Sequence, residues 1–444
     1  MARTDHPDIA HLGEDEDEDE EFLNQDDVLA EVDDDGDHGM DEDGDEDEYE
    51  GGPGEGEATA DVVHEDNSLQ HFPTHESSVF AVSMHPTQPI AASGGEDDLG
   101  YLWNVQDGEV IVKLTGHTDS VTATGFSADG ELIATGGMDG KIRIWRRVGK
   151  ELYTIWEFLT ELQGPDEVMV GHVRNFFFNV LKVYYYATSG YDGIPEVPSY
   201  SRVRTTRRFG YGSAQQKSVP SGNTMQVFAG HSGPVQCGEF TPDGKRIVTA
   251  DAEGTLIFWD PRSPAPIFKL SGADGRFSLD GVTSLAVNAA SSLAVVGGVS
   301  GGVRVVSLSK GDVVGALEGH KEGESVEAVQ FVDLAGAGAG SGVVVTGGTD
   351  GKACIWDLST MRLRATLEHE DSITSLLAHP SPKNHLITSA SADKTLRTWD
   401  ARTGKLLKEH KGHSGPILGA ALGLGGSVVV SAGDDGVCLV FGTE

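Results

Sequence analysis

The sequence contains few residues that could form covalent or metal cross-links. Its 444 residues include three cysteines, Cys237, Cys354 and Cys438, which stand singly in β-branched stretches and form no CxxC pair. This pattern excludes a disulfide framework and a cysteine zinc site, and it favours buried, reduced thiols in an intracellular protein. The sequence also lacks an apolar run approaching about 18 residues, and its first residues (MARTDHPDIA) lack the apolar core of a signal peptide. We therefore expect a soluble protein of the cytoplasm, with the nucleus as a second location and no membrane contact.

Basic residues are scarce, and the shortage is concentrated at one end of the chain. The protein has 32 Lys+Arg against 71 Asp+Glu. Residues 1–66 hold 30 of the acids and one arginine (net −29), so residues 67–444 carry 41 acids and 31 bases (net −10). Because such a like-charged segment cannot bury enough apolar surface to offset its chain entropy, we predict that residues 1–66 form a disordered acidic tail. Phosphate binding requires a basic surface, so we expect basic proteins as partners and no direct nucleic-acid contact.

One four-part signal is abundant and recurs six times after residue 66. Each copy has a histidine, then a serine or threonine, an acidic residue four positions after the hydroxyl and an aromatic residue six positions further on. The six sets are His75/Ser93/Asp97/Trp103, His117/Thr135/Asp139/Trp145, His231/Thr249/Glu253/Trp259, His320/Thr346/Asp350/Trp356, His369/Ser389/Asp393/Trp399 and His413/Ser431/Asp435/Phe441. A register repeated in this way indicates one supersecondary unit used many times.

The repeat predicts an all-β propeller. Short β-branched runs separated by Gly, Asp and Asn, with a period of about 40–45 residues, are typical of four-stranded propeller blades. The interval between His231 and His320 fits two blades, the second of them degenerate, with Val296, Ser300 and Val306 in the hydroxyl, acidic and aromatic positions. With that blade, residues 68–169 and 220–444 supply seven recognisable blade positions. The last blade has three strands by this count, so we expect residues near Ser68–Phe72 to supply its outer strand.

Residues 170–219 interrupt the pattern where a third blade is due. Residues 170–220 hold seven Lys/Arg against two acids, ten Phe/Tyr and no copy of the four-part signal. The segment could be a functional insertion, a blade diverged beyond recognition, or translated non-coding sequence from a gene-model or splicing error. The abrupt break at both ends favours the third explanation. We therefore predict a propeller over residues 67–444 in which residues 170–219 replace most of blade three.

Histidine, serine and aspartate together suggest a hydrolase triad, but a structural role fits better. The set recurs six times with an aromatic fourth member, and no serine stands in a G-x-S-x-G turn. We expect a buried chain in which the acid orients the histidine, the histidine meets the hydroxyl, and the hydroxyl accepts the tryptophan N–H. Residues 31–42 mimic a calcium loop without a following helix, and the glycine-rich residues 336–342 lack the Lys-Ser/Thr of a phosphate loop. No catalytic residue, cofactor or metal site is predicted.

Longer motifs carry a family resemblance. Gly-His pairs such as Gly116-His117 and Trp-Asp pairs such as Trp356-Asp357 are similar to those of WD-repeat propellers. More narrowly, DDVLAEVDDD, FLTELQGPDEVM, PSGNTMQVFAGHSGPVQCGEFTPDGK and GGTDGKACIWDL resemble the angio-associated migratory cell protein family. Fungal members of that family resemble a dedicated chaperone for one ribosomal protein. The resemblance spans about residues 68–169 and 220–444 together with the acidic leader.

This resemblance implies an eight-bladed, non-enzymatic propeller that captures a newly made, basic large-subunit ribosomal protein and delivers it to the pre-60S particle, acting as a monomer. The alternative is a general scaffold or adaptor in signalling or cell migration. From repeat position, we predict partner contacts at acidic residues of the blade tops. They are Glu96, Asp98, Asp119, Glu253, Glu324, Asp371 and Asp434.

Overall fold

A computed structural model describes residues 65–149, 155–163, 183–188, 213–218, 221, 224–334 and 342–443, with the backbone alone for 183–188, 213–218 and 224–225. The predicted tail up to residue 64, most of the interrupting segment and glycine-rich residues 336–341 lie outside these ranges. The described residues form β-strands, turns and one short 3-10 turn at Leu424–Gly426. They include no helix long and apolar enough to cross a membrane.

Thirty-one strands are numbered in chain order. They are β1 (Gln70–Phe72), β2 (Val79–Met84), β3 (Ile90–Gly95), β4 (Gly100–Asn104), β5 (Val110–Leu114), β6 (Val121–Phe126), β7 (Leu132–Gly137), β8 (Lys141–Arg147), β9 (Trp156–Gln163), β10 (Val183–Thr188), β11 (Ser213–Ser218), β12 (Thr224–Ala229), β13 (Val235–Phe240), β14 (Ile247–Asp251), β15 (Leu256–Trp259), β16 (Pro266–Leu270), β17 (Val282–Val287), β18 (Leu293–Gly298), β19 (Val303–Ser307), β20 (Asp312–Leu317), β21 (Val326–Val332), β22 (Val343–Gly348), β23 (Lys352–Asp357), β24 (Arg362–Glu368), β25 (Ile373–Ala378), β26 (Leu386–Ser391), β27 (Leu396–Asp400), β28 (Lys405–His410), β29 (Ile417–Gly423), β30 (Val428–Gly433) and β31 (Cys438–Gly442).

These strands pair into eight antiparallel sheets within the described ranges, which we number in chain order. Sheet 1 has the order β2-β3-β4-β5, sheet 2 β6-β7-β8-β9 and sheet 3 β10-β11-β12. Sheets 4 to 7 repeat the four-stranded order over β13–β16, β17–β20, β21–β24 and β25–β28, and sheet 8 has the order β1-β31-β30-β29. Inner strands contact one another between sheets 1 and 2 and between each successive pair from sheet 4 to sheet 8, and β29 of sheet 8 contacts β2 of sheet 1. The predicted propeller is confirmed, with a third sheet that has three strands where the others have four.

A β-bulge recurs in every four-stranded sheet at the second residue of its inner strand. In β2, for example, Val79 pairs with Gly95 and Ala81 with Gly94, so Phe80 has no partner. The same shift occurs in the other inner strands, β6, β13, β17, β21, β25 and β29. A bulge bends its strand and redirects the extra side chain. Several of these residues, including Phe80, Thr122 and Glu327, line a central cavity of about 310 Å³ between the inner strands.

The ring closes by strand exchange, as predicted. Strand β1 pairs with β31, placing Gln70 opposite Val440 and Phe72 opposite Cys438. Phe72 is fully buried, and its ring stacks on Trp103 of sheet 1 with a centroid distance of 4.5 Å and an interplanar angle of 4°. The strand therefore completes sheet 8 and also packs against sheet 1. Just before it, Asn67 N–H donates to the Lys411 carbonyl at 3.0 Å.

The degenerate fifth sheet replaces the polar set with apolar packing. Val296 and Val306 are fully buried in one cluster with Val248 and Phe258 of sheet 4. Ser300, in the acidic position, donates its hydroxyl to Asp280 at 3.1 Å. A sheet can thus hold its place in the ring without the histidine chain when valines fill the same space.

The three cysteines are free and buried, as expected for reduced thiols. Burial raises the pKa of each thiol, that of Cys354 to about 12. These thiols are therefore poor nucleophiles at neutral pH.

Sheet 7 contains a second buried chain of hydrogen-bonded side chains, which the sequence pattern does not predict. His379 Nε2 lies 2.8 Å from the Thr388 hydroxyl, which lies 2.9 Å from that of Thr398, and the Thr398 hydroxyl lies 3.1 Å from His410 Nε2. His410 pairs with Leu396, in a register where five other sheets have a leucine. Those leucines are Leu114, Leu162, Leu270, Leu317 and Leu367. Burial lowers the pKa of both His379 and His410 to about 4, and Lys383, His385 and Lys408 nearby add to the effect.

We predict that replacing Phe72 with alanine lowers the free energy of unfolding by about 3–5 kcal/mol, because it removes a buried ring and leaves a cavity at the closure. Leu69→Ala is the matched control, since Leu69 is 67% exposed one residue before the same strand. Urea denaturation of both variants checks this. Equal losses in the two variants would show that the strand contributes no packing to the closure.

We also predict that the protein loses stability in acid because of the buried hydrogen-bond chain from His379 to His410 in sheet 7. Both histidines have a folded pKa of about 4 against an ordinary 6.5. Their stabilising contribution is therefore full above about pH 6.5 and is lost as the pH falls towards 4, at up to about 1.4 kcal/mol per pH unit and histidine. Unfolding free energies measured across this range should fall less steeply in His410→Leu. An unchanged slope in that variant would contradict the assignment.

Candidate functional site

Six of the eight sheets carry the predicted histidine–hydroxyl contact. The distance between histidine Nε2 and the serine or threonine oxygen lies between 2.6 and 2.8 Å in every set. The side chains of all six histidines are fully buried, and so are the six hydroxyl residues. A histidine sealed in this way has no access to a substrate, which agrees with a structural role. The pairs are His75 with Ser93, His117 with Thr135, His231 with Thr249, His320 with Thr346, His369 with Ser389 and His413 with Ser431.

An aspartate holds the other nitrogen of each histidine. The histidine Nδ1 to carboxylate distance is 2.8–3.1 Å for the closer oxygen. The residue after the histidine also donates its backbone N–H to this carboxylate, as Thr118 does to Asp139 at 3.0 Å. Burial alone would raise the pKa of these carboxyl groups, but the histidine and backbone hydrogen bonds outweigh it and hold the pKa below its usual range. The carboxylates are therefore charged and oriented at neutral pH. Five are the predicted acids, Asp97, Asp139, Asp350, Asp393 and Asp435.

In sheet 4 the assignment of Glu253 as the acid is wrong, because Asp251 takes its place. Asp251 Oδ2 lies 3.0 Å from His231 Nδ1, and Asp251 is fully buried, whereas Glu253 is exposed. Asp251 stands two positions after the hydroxyl, where sheets 1, 2, 6 and 8 have glycine. At Gly137, for example, an added Cβ would lie 2.6 Å from His117 Nδ1. A side chain at this position enters the space of the pair, and an aspartate there supplies the carboxylate itself. The glycine-to-aspartate change was the signal that could have found it.

The last link of the predicted chain, from the tryptophan to the hydroxyl, is present in three sheets. The tryptophan Nε1–H donates to the hydroxyl oxygen at 2.8–2.9 Å in each of them. The three donor and acceptor pairs are Trp259 to Thr249, Trp356 to Thr346 and Trp399 to Ser389. These sheets, numbers 4, 6 and 7, therefore contain the complete four-membered chain.

In sheets 1 and 2 the prediction of this last link is wrong. The buried Trp103 Nε1 has no hydrogen-bond partner among the described residues, and the Trp103 ring is instead stacked on Phe72. In sheet 2, where both residues are described, Trp145 and Thr135 form no hydrogen bond. The Trp145 ring instead meets the edge of Phe158 at 6.1 Å between ring centroids and 75° between ring planes. The position of each indole is therefore set by ring packing, which the spacing of the repeat does not specify.

Sheet 8 ends its chain at the hydroxyl, because its aromatic residue is Phe441 and carries no N–H donor. The Ser431 hydroxyl donates to the Leu439 carbonyl at 3.4 Å. Phe441 is fully buried, with its ring centroid 5.2 Å from that of His410 in sheet 7. The predicted set of sheet 8 is thus confirmed as far as the histidine, hydroxyl and acid, and its fourth member contributes packing between two sheets.

These chains fix the loops at one edge of the sheets, which we call the upper face. There the backbone N–H of the residue before the acid donates to the carbonyl of the residue before the inner strand. Examples are Glu96 to Ser78 and Asp434 to Pro416, both at 2.9 Å. The side chains between these anchors project from a rigid frame.

The predicted contact residues all lie on the upper face, and most of them form one arc. Asp434 belongs to sheet 8, Glu96 and Asp98 to sheet 1 and Asp119 to the loop entering sheet 2. The Ser78 hydroxyl donates to Asp434 at 2.7 Å and so connects sheets 1 and 8. Burial raises the pKa of Asp98, with further contributions from the charge of Asp119 and other neighbouring aspartates. The carboxylates here are close enough to repel one another.

The arc extends through the neighbouring sheets on the other side. Asp371, exposed in the loop entering sheet 7, uses one oxygen to accept the Ser372 N–H at 2.6 Å. Glu324, in the loop entering sheet 6, is partly neutralised by Lys321 at 3.2 Å and accepts the Thr349 hydroxyl at 2.9 Å. Sheet 5 lies between Glu253 and Glu324. It has Val299 where sheets 1 and 8 have Glu96 and Asp434, and its exposed acid on this face is Asp280, in the loop entering the sheet. We define the acidic arc as Glu324, Asp371, Asp434, Glu96, Asp98 and Asp119.

Besides Asp280, sequence reasoning missed three further acids of this face. Glu76 and Glu370 directly follow the buried histidines His75 and His369, and Glu322 follows His320 by two residues. All three are exposed. Position relative to the histidine could have identified them, because each loop leaves the buried histidine towards solvent.

Within the described residues, no group of three or more His, Cys, Asp and Glu side chains is arranged to hold a metal ion. The upper face presents surface charge, with carboxylates held at fixed positions by the hydrogen-bond chains beneath them.

We predict that Asp251→Asn lowers the free energy of unfolding by about 2 kcal/mol, because it weakens a buried, charge-assisted hydrogen bond. Glu253→Gln, two residues away and exposed, should change stability by less than about 0.5 kcal/mol. Denaturant midpoints of the two variants measure the difference. A larger loss in the Glu253 variant would restore the acid expected from the repeat pattern.

Six segments of the chain match the WD domain, G-beta repeat family, at residues 66–104, 108–146, 222–260, 311–357, 361–400 and 404–441. Each contains the aromatic residue of one of the six sets. Human angio-associated migratory cell protein is 33% identical over 390 residues, which cover 85% of this chain and 80% of the relative. The chain belongs to this WD-repeat family. The Saccharomyces cerevisiae ribosome assembly protein SQT1 is 24% identical over 418 residues, covering 87% of this chain and 89% of the relative.

A solved structure agrees with the fold. Chaetomium thermophilum Sqt1, bound to the N-terminus of the ribosomal protein L10, superposes with a TM-score of 0.72 at 25% identity. The match covers 85% of this chain and 100% of that chain.

Proposed function

We propose that this WD-repeat propeller is an assembly chaperone that binds a basic segment of a large-subunit ribosomal protein on its acidic arc. The observation that carries the proposal is the concentration of carboxylates at the upper face of sheets 6, 7, 8, 1 and 2. Within the described ranges, Glu324 is the one member of the arc that forms an ion pair, so most of this charge is available to a partner. The protein acts without catalysis, as a monomer, in the cytoplasm and as a second location in the nucleus.

The electrostatics suit a client that must be held and then released. A basic ribosomal-protein segment lacks a folded core before it meets rRNA, and free in the cell it would bind any polyanion. Carboxylates on a rigid frame attract such a segment and disfavour acidic partners, over a Debye length of about 8 Å at physiological salt. Because rRNA is a denser polyanion, it can displace the propeller without nucleotide hydrolysis.

The relatives support this proposal by what they bind and assemble. The Chaetomium thermophilum Sqt1 structure contains the N-terminus of the ribosomal protein L10, and the yeast relative is a ribosome assembly protein. We therefore take the N-terminal segment of this chain's own L10 counterpart as the candidate client.

A scaffold or adaptor role in signalling or cell migration is the alternative, favoured by the animal relatives' connection with migratory cells. A scaffold would bind several partners of ordinary charge with little salt dependence. Salt dependence of binding therefore separates the two functions.

We predict that the triple variant Glu96→Lys/Asp98→Lys/Asp119→Lys binds a synthetic L10 N-terminal peptide at least about 30-fold more weakly, since each reversal removes one attraction and adds one repulsion. Its binding should also respond less to added salt than that of the wild type. Isothermal titration calorimetry at low and high salt measures both.

The matched control reverses three exposed acids of the outer strands and their turns, Glu109→Lys/Glu157→Lys/Asp312→Lys. It changes net charge equally but should leave affinity within about twofold. Equal weakening in both variants would mean that net charge alone, rather than the arc, attracts the peptide.

A further inference from the structure

The outer strands of sheets 5, 6 and 7 expose four aliphatic side chains, two of them on sheet 7. Val314, Leu363, Leu406 and Leu407 are 50%, 43%, 40% and 52% exposed. They lie on β20, β24 and β28, each the outermost strand of its sheet. An exposed apolar surface rimmed by polar residues is typical of an interaction site.

Contacts between the sheets make these side chains one surface. Met361, which enters β24, packs on β20, where a Cβ added at Gly315 would lie 3.0 Å from its sulfur. The turn before β28 packs on β24 in the same way, since a Cβ at Gly404 would lie 2.8 Å from that of Ala365. The aliphatic residues therefore follow one another from sheet 5 to sheet 7.

Cations outnumber acids on this surface, in contrast to the chain as a whole, although β20 begins with the exposed Asp312. Arg362, Arg364 and Lys405 are exposed beside the leucines, and none of them forms an ion pair within the described residues. The nearby Arg402 is neutralised by Asp400 at 2.7 Å. We call Val314, Arg362, Leu363, Arg364, Lys405, Leu406 and Leu407 the basic strip.

The outer strands of the first two sheets lack this combination. Glu157 and Glu161 flank the exposed Phe158 on β9, and Glu109 precedes Val110 on β5. Exposed apolar residues also occur on the other outer strands, as at Ile267 of sheet 4, so the strip is distinguished by its three cations without ion pairs.

The strip is separate from the acidic arc. Strand β24 begins at Arg362 and ends immediately before His369, which is buried beneath the upper face. Seven residues of extended chain span about 23 Å. A partner on the strip therefore leaves the arc open to a basic client.

We propose that the basic strip binds a partner protein through an extended segment that alternates acidic and aliphatic residues. Its carboxylates would meet Arg362, Arg364 and Lys405, and its aliphatic side chains would cover the leucines. The outermost strands β24 and β28 each present an edge on which such a segment can form backbone hydrogen bonds. The strip has no aromatic side chain on which bases could stack, which favours a peptide over single-stranded nucleic acid.

Fluorescence anisotropy on the full chain tests the proposal with three labelled probes. The first is a synthetic peptide alternating glutamate or aspartate with leucine or valine, the second has serine at every aliphatic position, and the third is single-stranded RNA. The first should bind the wild type, and the second should bind at least about tenfold more weakly.

Two charge-reversal variants locate the site. Arg362→Glu/Arg364→Glu/Lys405→Glu should weaken the first probe about tenfold or more. The matched control, Lys245→Glu/Arg276→Glu/Lys394→Glu, reverses three exposed cations elsewhere and should stay within about twofold. Leu363→Ser/Leu407→Ser, which keeps every charge, should also weaken the probe.

Three results would overturn the proposal: no binding of the alternating peptide, equal loss in the two charge variants, or binding of RNA in its place. Binding of the L10 peptide should be unchanged by the strip variants. Failure of this proposal is therefore distinguishable from failure of the chaperone role.

Discussion

The buried hydrogen-bond chain from aspartate through histidine to hydroxyl is the constraint on which the upper face depends. It joins the loop before each inner strand to the turn between the second and third strands, across 18 to 30 residues of sequence. Each member gives its neighbour a hydrogen-bond partner away from water, so the loss of one member leaves the others buried without a partner. The exposed carboxylates next to these chains are consequently presented at fixed positions. The buried hydrogen-bond chains thus contribute to function indirectly, because they fix the positions of the surface carboxylates.

The repeat pattern predicted most of the fold because its periodic signals are local. The histidines and hydroxyls fall where expected, and the exchange strand near Phe72 follows from counting strands. The acid of sheet 4 was missed because Asp251 replaces a glycine, and register alone cannot tell which carboxylate reaches His231. The stacking of Phe72 on Trp103 and the chain from His379 to His410 join residues from different strands or sheets. No spacing in the sequence encodes such contacts.

The acidic arc was predicted in part for a similar reason. Repeat position placed Glu96, Asp98 and Asp434 correctly on the upper face, but it missed the exposed Asp280 of sheet 5, which lies between Glu253 and the others. In the interrupting segment, the backbone forms strands β10 and β11, paired with each other and with β12. A diverged third blade would have strands at these places. The composition of the interrupting segment nevertheless differs from that of every other blade.

The most direct test of the account is affinity purification of the endogenous protein at low and at high salt, with the bound proteins identified by peptide mass spectrometry. We expect one dominant bound protein, a basic large-subunit ribosomal protein, which is lost as salt screens the acidic arc. A spread of neutral signalling partners that resist salt would contradict it and favour the scaffold. The same spectra would show whether residues 170–219 are made as written or replaced by a blade-like sequence.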